Sequence, residues 1–135
     1  MLRAAQFPIG ALSAATGVNI ETIRYYEKIG LMPAPPRNEG RQRIYDAGHL
    51  KRLTFVRRGR ELGFSLDQIR ALLALSDVRD QSCAAVDAIA KEHRAEVERK
   101  IVDLQSLKKE LDRMIDQCGC GVVADCRIIE SLSPQ

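Results

Sequence analysis

Ile20-Glu21-Thr22-Ile23-Arg24-Tyr25-Tyr26-Glu27-Lys28-Ile29-Gly30 is the stretch on which the reading of this chain turns. Asn19 before it is suited to an N-cap, Ile20, Ile23 and Tyr26–Glu27 recur at helical spacing, and Gly30 is a stop. Upstream, residues 9–18 read as a second short helix that Gly17 can end. Two short helices joined by a tight glycine-containing turn make a helix-turn-helix. Arg24, Tyr25, Tyr26 and Lys28 on the second helix are side chains suited to bases and phosphates. Tyr26 is equally placed to serve the core, where a tyrosine needs a partner for its hydroxyl.

Downstream, Pro33, Pro35 and Pro36 break the helical pattern. A turn signal at Asn38–Gly40 followed by alternating residues to Tyr45 predicts a small β-ribbon, or wing, with Arg37, Arg41 and Arg43 set along phosphates. Asp46 is placed to cap a third helix running through Leu50, Leu53 and Val56 to about Leu62, and Gly63 ends it. Arg60 near its end is a further candidate phosphate contact. Ser65 with Gln68 three residues on forms a capping box for a fourth helix buried through Leu66, Ile69, Leu72 and Leu73.

One long helix is expected from about Cys83 to Gln117, with an apolar stripe through Val86, Ala90, Val97, Ile101, Leu104, Leu107, Leu111 and Ile115. Its three- and four-residue steps approximate a heptad flanked by charges. The stripe is too long to be covered by residues 46–75 alone, so a second copy of the chain is the simplest cover. Residues 118–126 read as a loop, since Gly119 and Gly121 stop the helix, and Arg127 to Leu132 as a short closing helix. The expected division is a DNA-binding unit at 1–76, a linker and dimerisation helix at 77–117 and a cysteine-bearing tail at 118–135.

Composition agrees with a mainly helical chain. Of 135 residues, 45% are hydrophobic and 29% charged, while three Tyr, three Phe and no Trp leave the core to aliphatic side chains. No apolar run approaches the roughly 20 residues of a membrane span, and the N-terminus lacks a secretory pattern, so a cytoplasmic protein is expected. Residues 1–60 hold 11 Lys/Arg against 4 Asp/Glu, whereas residues 61–135 hold 10 against 14. A basic first half is the electrostatic footprint of nucleic-acid binding. No glycine-rich phosphate loop, Ser/His/Asp set or His-Glu metal motif points to an enzyme. The four cysteines, Cys83, Cys118, Cys120 and Cys126, all lie in the second half. In a reducing compartment such clustering suits a metal site or a thiol redox switch better than disulfides.

Taken in order, Ile23-Arg24-Tyr25-Tyr26-Glu27, Gly30-Leu31, the proline-rich bend, the wing ending Arg43-Ile44-Tyr45 and Gly63-Phe64-Ser65-Leu66 resemble the MerR family of transcriptional regulators. The long helix, the cysteine-bearing loop and Cys126-Arg127-Ile128-Ile129-Glu130 resemble its metal-sensing branch. The resemblance implies a winged helix-turn-helix followed by an antiparallel coiled-coil dimer helix and a C-terminal metal-binding loop. It implies a homodimer on double-stranded promoter DNA that acts on RNA polymerase indirectly, by distorting the promoter when metal binds. Carried over by residue, the DNA contacts are Arg24, Tyr25, Tyr26, Arg37, Arg43 and Tyr45.

In that family two loop cysteines are the common ligands, matched here by Cys118 and Cys126. Their short separation resembles the copper-sensing branch, whereas a cysteine at the head of the long helix, here Cys83, marks sensors of divalent Hg, Zn, Cd or Pb. Two thiolates neutralise a divalent ion and leave a monovalent one anionic. A divalent thiophilic ion held by Cys118, Cys126 and Cys83 of the other subunit is therefore expected first, and Cu(I) second. Cys120 is a fourth ligand, a ligand to a second ion or a spare thiol. His93 is expected at the seam or the surface.

Overall fold

The computed structural model describes residues 5–118 and 121–134. Six α-helices follow in order: α1 (Ile9–Thr16), α2 (Ile20–Lys28), α3 (Ala47–Glu61), α4 (Leu66–Ser76), α5 (Ala84–Gln117) and α6 (Arg127–Leu132), with a single 3₁₀ turn at Val123–Asp125. The helix starts are set by their caps. Asn19 Oδ1 accepts from the Thr22 N–H at 2.8 Å, and Asp46 and Ser65 each close a capping box, with His49 and Gln68 respectively. The turn between α1 and α2 is closed by Gly17, whose φ of 74° lies in the left-handed region and whose N–H donates to the Ser13 carbonyl.

The wing differs from expectation. Among the described residues it contains no extended strand, only two isolated antiparallel bridges, Phe7 with Tyr45 and Arg37 with Arg43. The prolines at 33, 35 and 36 remove backbone donors on one side. On the other, Arg41 takes a positive φ of 63°, so the chain turns two residues before Arg43 of the second bridge instead of continuing the ladder.

The chain forms two compact units, Met1–Val86 and Asp87–Gln135. In the first, α1 packs on α2 and α3, and α3 on α4. Its core is Leu12, Ile23, Tyr26, Leu31, Met32, Tyr45, Leu53, Val56, Ile69 and Leu73. At Gly59 the two helices α3 and α4 come so close that an added Cβ would lie 2.9 Å from Cγ1 of the buried Ile69. Two arginines brace the end of α2: Arg52 Nε donates to the Leu31 carbonyl and Arg70 Nη2 to that of Ile29, both at 2.8 Å.

In the second unit, α5 runs 34 residues, about 50 Å at the helical rise. Val97, Ile101, Leu104, Leu107, Leu111 and Ile115 are all exposed along it. Its polar faces carry the pairs Lys91–Asp87 and Lys108–Asp112, each at 2.8 Å, and Arg113–Glu110. His93 is buried, which removes the surface reading of that residue. No described helix is long and apolar enough to cross a membrane.

Candidate nucleic-acid interface and thiol pair

Helical spacing divides α2 into two faces. Ile23 and Tyr26 turn into the core, while Arg24 and Tyr25 are exposed, Tyr25 at 51%. Arg24, Arg37 and Arg43 line both of two adjoining depressions of about 300 and 480 Å³, joined by Lys28 in one and Arg41 in the other. Three guanidinium groups around one concavity make a surface matched to phosphate oxygens. Arg37 is held there by its own turn, with Nη1 donating to the Arg41 carbonyl at 2.8 Å.

Three residues expected at this surface have other duties. Tyr45 is wholly buried and its hydroxyl donates to Glu27 Oε1 at 2.5 Å, so it presents nothing to a ligand. Tyr26 is buried too, and the core reading of that residue holds. Arg60 is exposed but lines neither depression, and its Nη1 donates to the Phe64 carbonyl at 2.9 Å across the turn from α3 to α4.

Glu27 is the residue that motif spacing left without a role. Its side chain is 7% exposed, and Oε2 accepts from Arg43 Nη1 at 2.6 Å while Oε1 takes the Tyr45 hydroxyl. Burial, then the bond to Glu27, pushes the Tyr45 pKa up to about 12, partly opposed by Arg43. The phenol thus stays protonated and donating at any ordinary pH. The one signal in the sequence was an acid on the helix that bears Arg24 and Lys28, with Arg43 and Tyr45 two residues apart and so on one side of an extended wing.

In the second unit, Cys118 follows α5 directly, and Cys126 precedes α6 after the 3₁₀ turn. That turn folds the loop back so that the two half-buried sulfurs stand 3.8 Å apart. Backbone N–H groups of Ile129, then Ile128, at the start of α6 hold the Cys126 thiol below its ordinary pKa, with a smaller contribution from Cys118. Cys83 is exposed just before α5. Cys120 lies outside the described residues. Among the described residues of one chain, no third His, Cys, Asp or Glu completes a metal-binding group.

A helix-turn-helix unit with an arginine-lined surface is the frame of a DNA-binding regulatory protein. The family model for the MerR HTH family regulatory protein matches residues 7–76, and that for MerR, DNA binding, matches residues 50–114. The chain belongs to the MerR family, a family of transcription regulators, as its motifs led us to expect. It is 42% identical to heavy metal-dependent transcription regulator 2 of Rhizobium meliloti over 93% of this chain and 85% of that protein. It is similar to the crystal structure of a transcription regulator from Ralstonia metallidurans in complex with lead(II), at 38% identity and a TM-score of 0.77, covering 98% of this chain and 100% of that one. It is also similar to the Bacillus megaterium MerR regulator in complex with mercury(II), at 35% identity and a TM-score of 0.68, covering 93% of this chain and 98% of that one.

Proposed function

We propose that this chain is a metal-responsive transcription regulator that binds double-stranded promoter DNA in the cytoplasm as a homodimer and responds to a divalent thiophilic ion. The carrying observation is the sulfur separation of 3.8 Å between Cys118 and Cys126. Metal–sulfur bonds of about 2.3 Å put two thiolates about 3.8 Å apart at a tetrahedral angle, but about 4.6 Å apart on a line. The pair thus suits an ion with three or four ligands better than a linearly held Cu(I). The relatives bound to lead(II) and mercury(II) support the same class. In this reading Cys118 and Cys126 hold the ion, Cys83 of a second copy completes its ligands, and Cys120 is accessory. When bound, the ion would supply a cross-link between the loop and the head of the partner helix.

The exposed apolar stripe of α5 supports the dimer, as an antiparallel coiled coil. The chain's own contribution on DNA is to hold the backbone through Arg24, Arg37 and Arg41 and to keep Tyr25 at the surface. Metal that favours one dimer conformation shifts the population toward the promoter shape that RNA polymerase can use.

Transcription in vitro, with each metal titrated in a defined thiol buffer, tests this. Cys118→Ser or Cys126→Ser should silence the response to every metal. Cys83→Ser should abolish the response to Hg(II), Cd(II), Zn(II) or Pb(II) and leave DNA affinity intact, and Cys120→Ser should have a smaller effect. A wild-type response to Cu(I) alone, unchanged by Cys83→Ser, overturns the divalent assignment. A response to hydrogen peroxide without metal would make the thiol pair a redox sensor instead.

A further inference from the structure

A carboxylate is a poor choice for a helix that meets a polyanion, because each unpaired acid repels phosphates. Glu27 sits on α2 one turn from Arg24, yet both its oxygens are withdrawn from solvent and occupied, by Arg43 and by Tyr45. These two donors belong to the two bridges that shape the wing: Arg43 pairs with Arg37, and Tyr45 with Phe7. Beyond those bridges no ladder holds the wing in place among the described residues. The geometry points to Glu27 as the positioning residue that fixes the wing against α2, so that Arg24 and the wing's Arg37 and Arg41 address one stretch of DNA backbone together.

This inference rests on the reading of α2 and the wing as the DNA interface. A glutamine in the same place carries no charge for Arg43, and whichever partner its amide nitrogen faces loses its acceptor, so both charge-assisted bonds are weakened or reversed. The pairing has a second consequence. Arg43 lies at the rim of both depressions with a third of its side chain exposed, but its charge there is offset by Glu27.

Positioning and mere stability give different signatures. Fluorescence anisotropy should compare the duplex that this protein selects from a randomised pool with a scrambled duplex of the same composition, at several salt concentrations. Glu27→Gln should lower the ratio of specific to scrambled affinity about tenfold. It should also hold or raise scrambled binding and steepen its salt slope by about one ion, as Arg43 becomes available. Tyr45→Phe keeps the ring in the core and the charge unchanged. It should lower the ratio about threefold with no change in slope, and it carries the test if Glu27→Gln does not fold.

Arg24→Ala separates the two layers of the argument. If Arg24→Ala loses specificity while folded Glu27→Gln and Tyr45→Phe keep the wild-type ratio and slope, the positioning role is overturned and the interface stands. If Arg24→Ala also keeps the wild-type ratio, the interface reading itself falls. A lowered melting temperature in Glu27→Gln with ratio and slope unchanged counts against the inference, because it is all that a structural carboxylate would show.

Discussion

The two units of this molecule are both largely helical, yet they stand on different footings. All ten buried apolar side chains of the described residues lie between Leu12 and Leu73 in the first unit. In the second, the described residues bury only His93, and the apolar stripe of α5 from Val97 to Ile115 stands exposed. Each such Leu, Ile or Val gains about 1.5–3 kcal/mol once covered. The first unit therefore carries its own core, while the second is a surface waiting for its complement. Capping explains the same contrast locally. Helices α2, α3 and α4 begin on N-cap side chains that accept N–H groups two or three residues on, whereas at the start of α5 Ser82 Oγ takes only the Ala84 N–H at 3.2 Å, and ion pairs run along the helix.

The largest break in this contrast should come from Leu104→Glu. A carboxylate buried without a partner in the α5 seam, twice per dimer, should weaken association about a thousandfold, about 4 kcal/mol. Sedimentation should show monomers whose first unit remains folded; a dimer that persists puts the seam elsewhere. Next comes Leu53→Ala, which hollows the first unit at a wholly buried position. It should cost that unit about 3 kcal/mol and leave the dimer intact. All three tyrosines lie in the first unit and the chain has no Trp, so tyrosine fluorescence during denaturation reports on that unit alone.

The smallest effect concerns a cap. The His49 backbone N–H, then its side chain, hold the Asp46 carboxyl below its ordinary pKa. A lowered pKa means that the ionised cap stabilises the fold above the unfolded value, about 3.9, and that this is lost as pH falls through the lower folded value. Asp46→Ala should cost about 1 kcal/mol at neutral pH. The gap between wild type and Asp46→Asn should close in acid. A gap that stays constant down to the acid limit would assign the cap to geometry without charge.

What could be read from the chain alone was mostly local. Asn19, Asp46 and Ser65 announced their helices because a cap and its target lie within three residues. The α5 stripe was visible because periodicity is a property of one element. The wing's true form was not, since prolines and a left-handed Arg41 act through backbone geometry that side-chain alternation does not record. Tyr45 was misread for a related reason. Its partner Glu27 lies 18 residues away on another element, and nothing in the alternation from Arg41 to Tyr45 says which face of so short a wing is covered. The arginines of α3 and α4 show the same limit. Charge counts do not reveal that Arg52 and Arg70 spend their donors on carbonyls at the end of α2.

The meeting of α3 and α4 at Gly59 has a mechanical side. Only a hydrogen atom separates that backbone from the wholly buried Ile69, and an interior packed to crystal density has no slack to absorb displacement. Within the first unit, α4 therefore has little room to shift against α3 at this point. Arg52 on α3 and Arg70 on α4 tie both helices to the Leu31 and Ile29 carbonyls, just past the end of α2. The contact at Gly59 and the two arginine struts thus tie α3 and α4 to the end of the helix whose outer face bears Arg24, and a methyl group at Gly59 would have to displace Ile69.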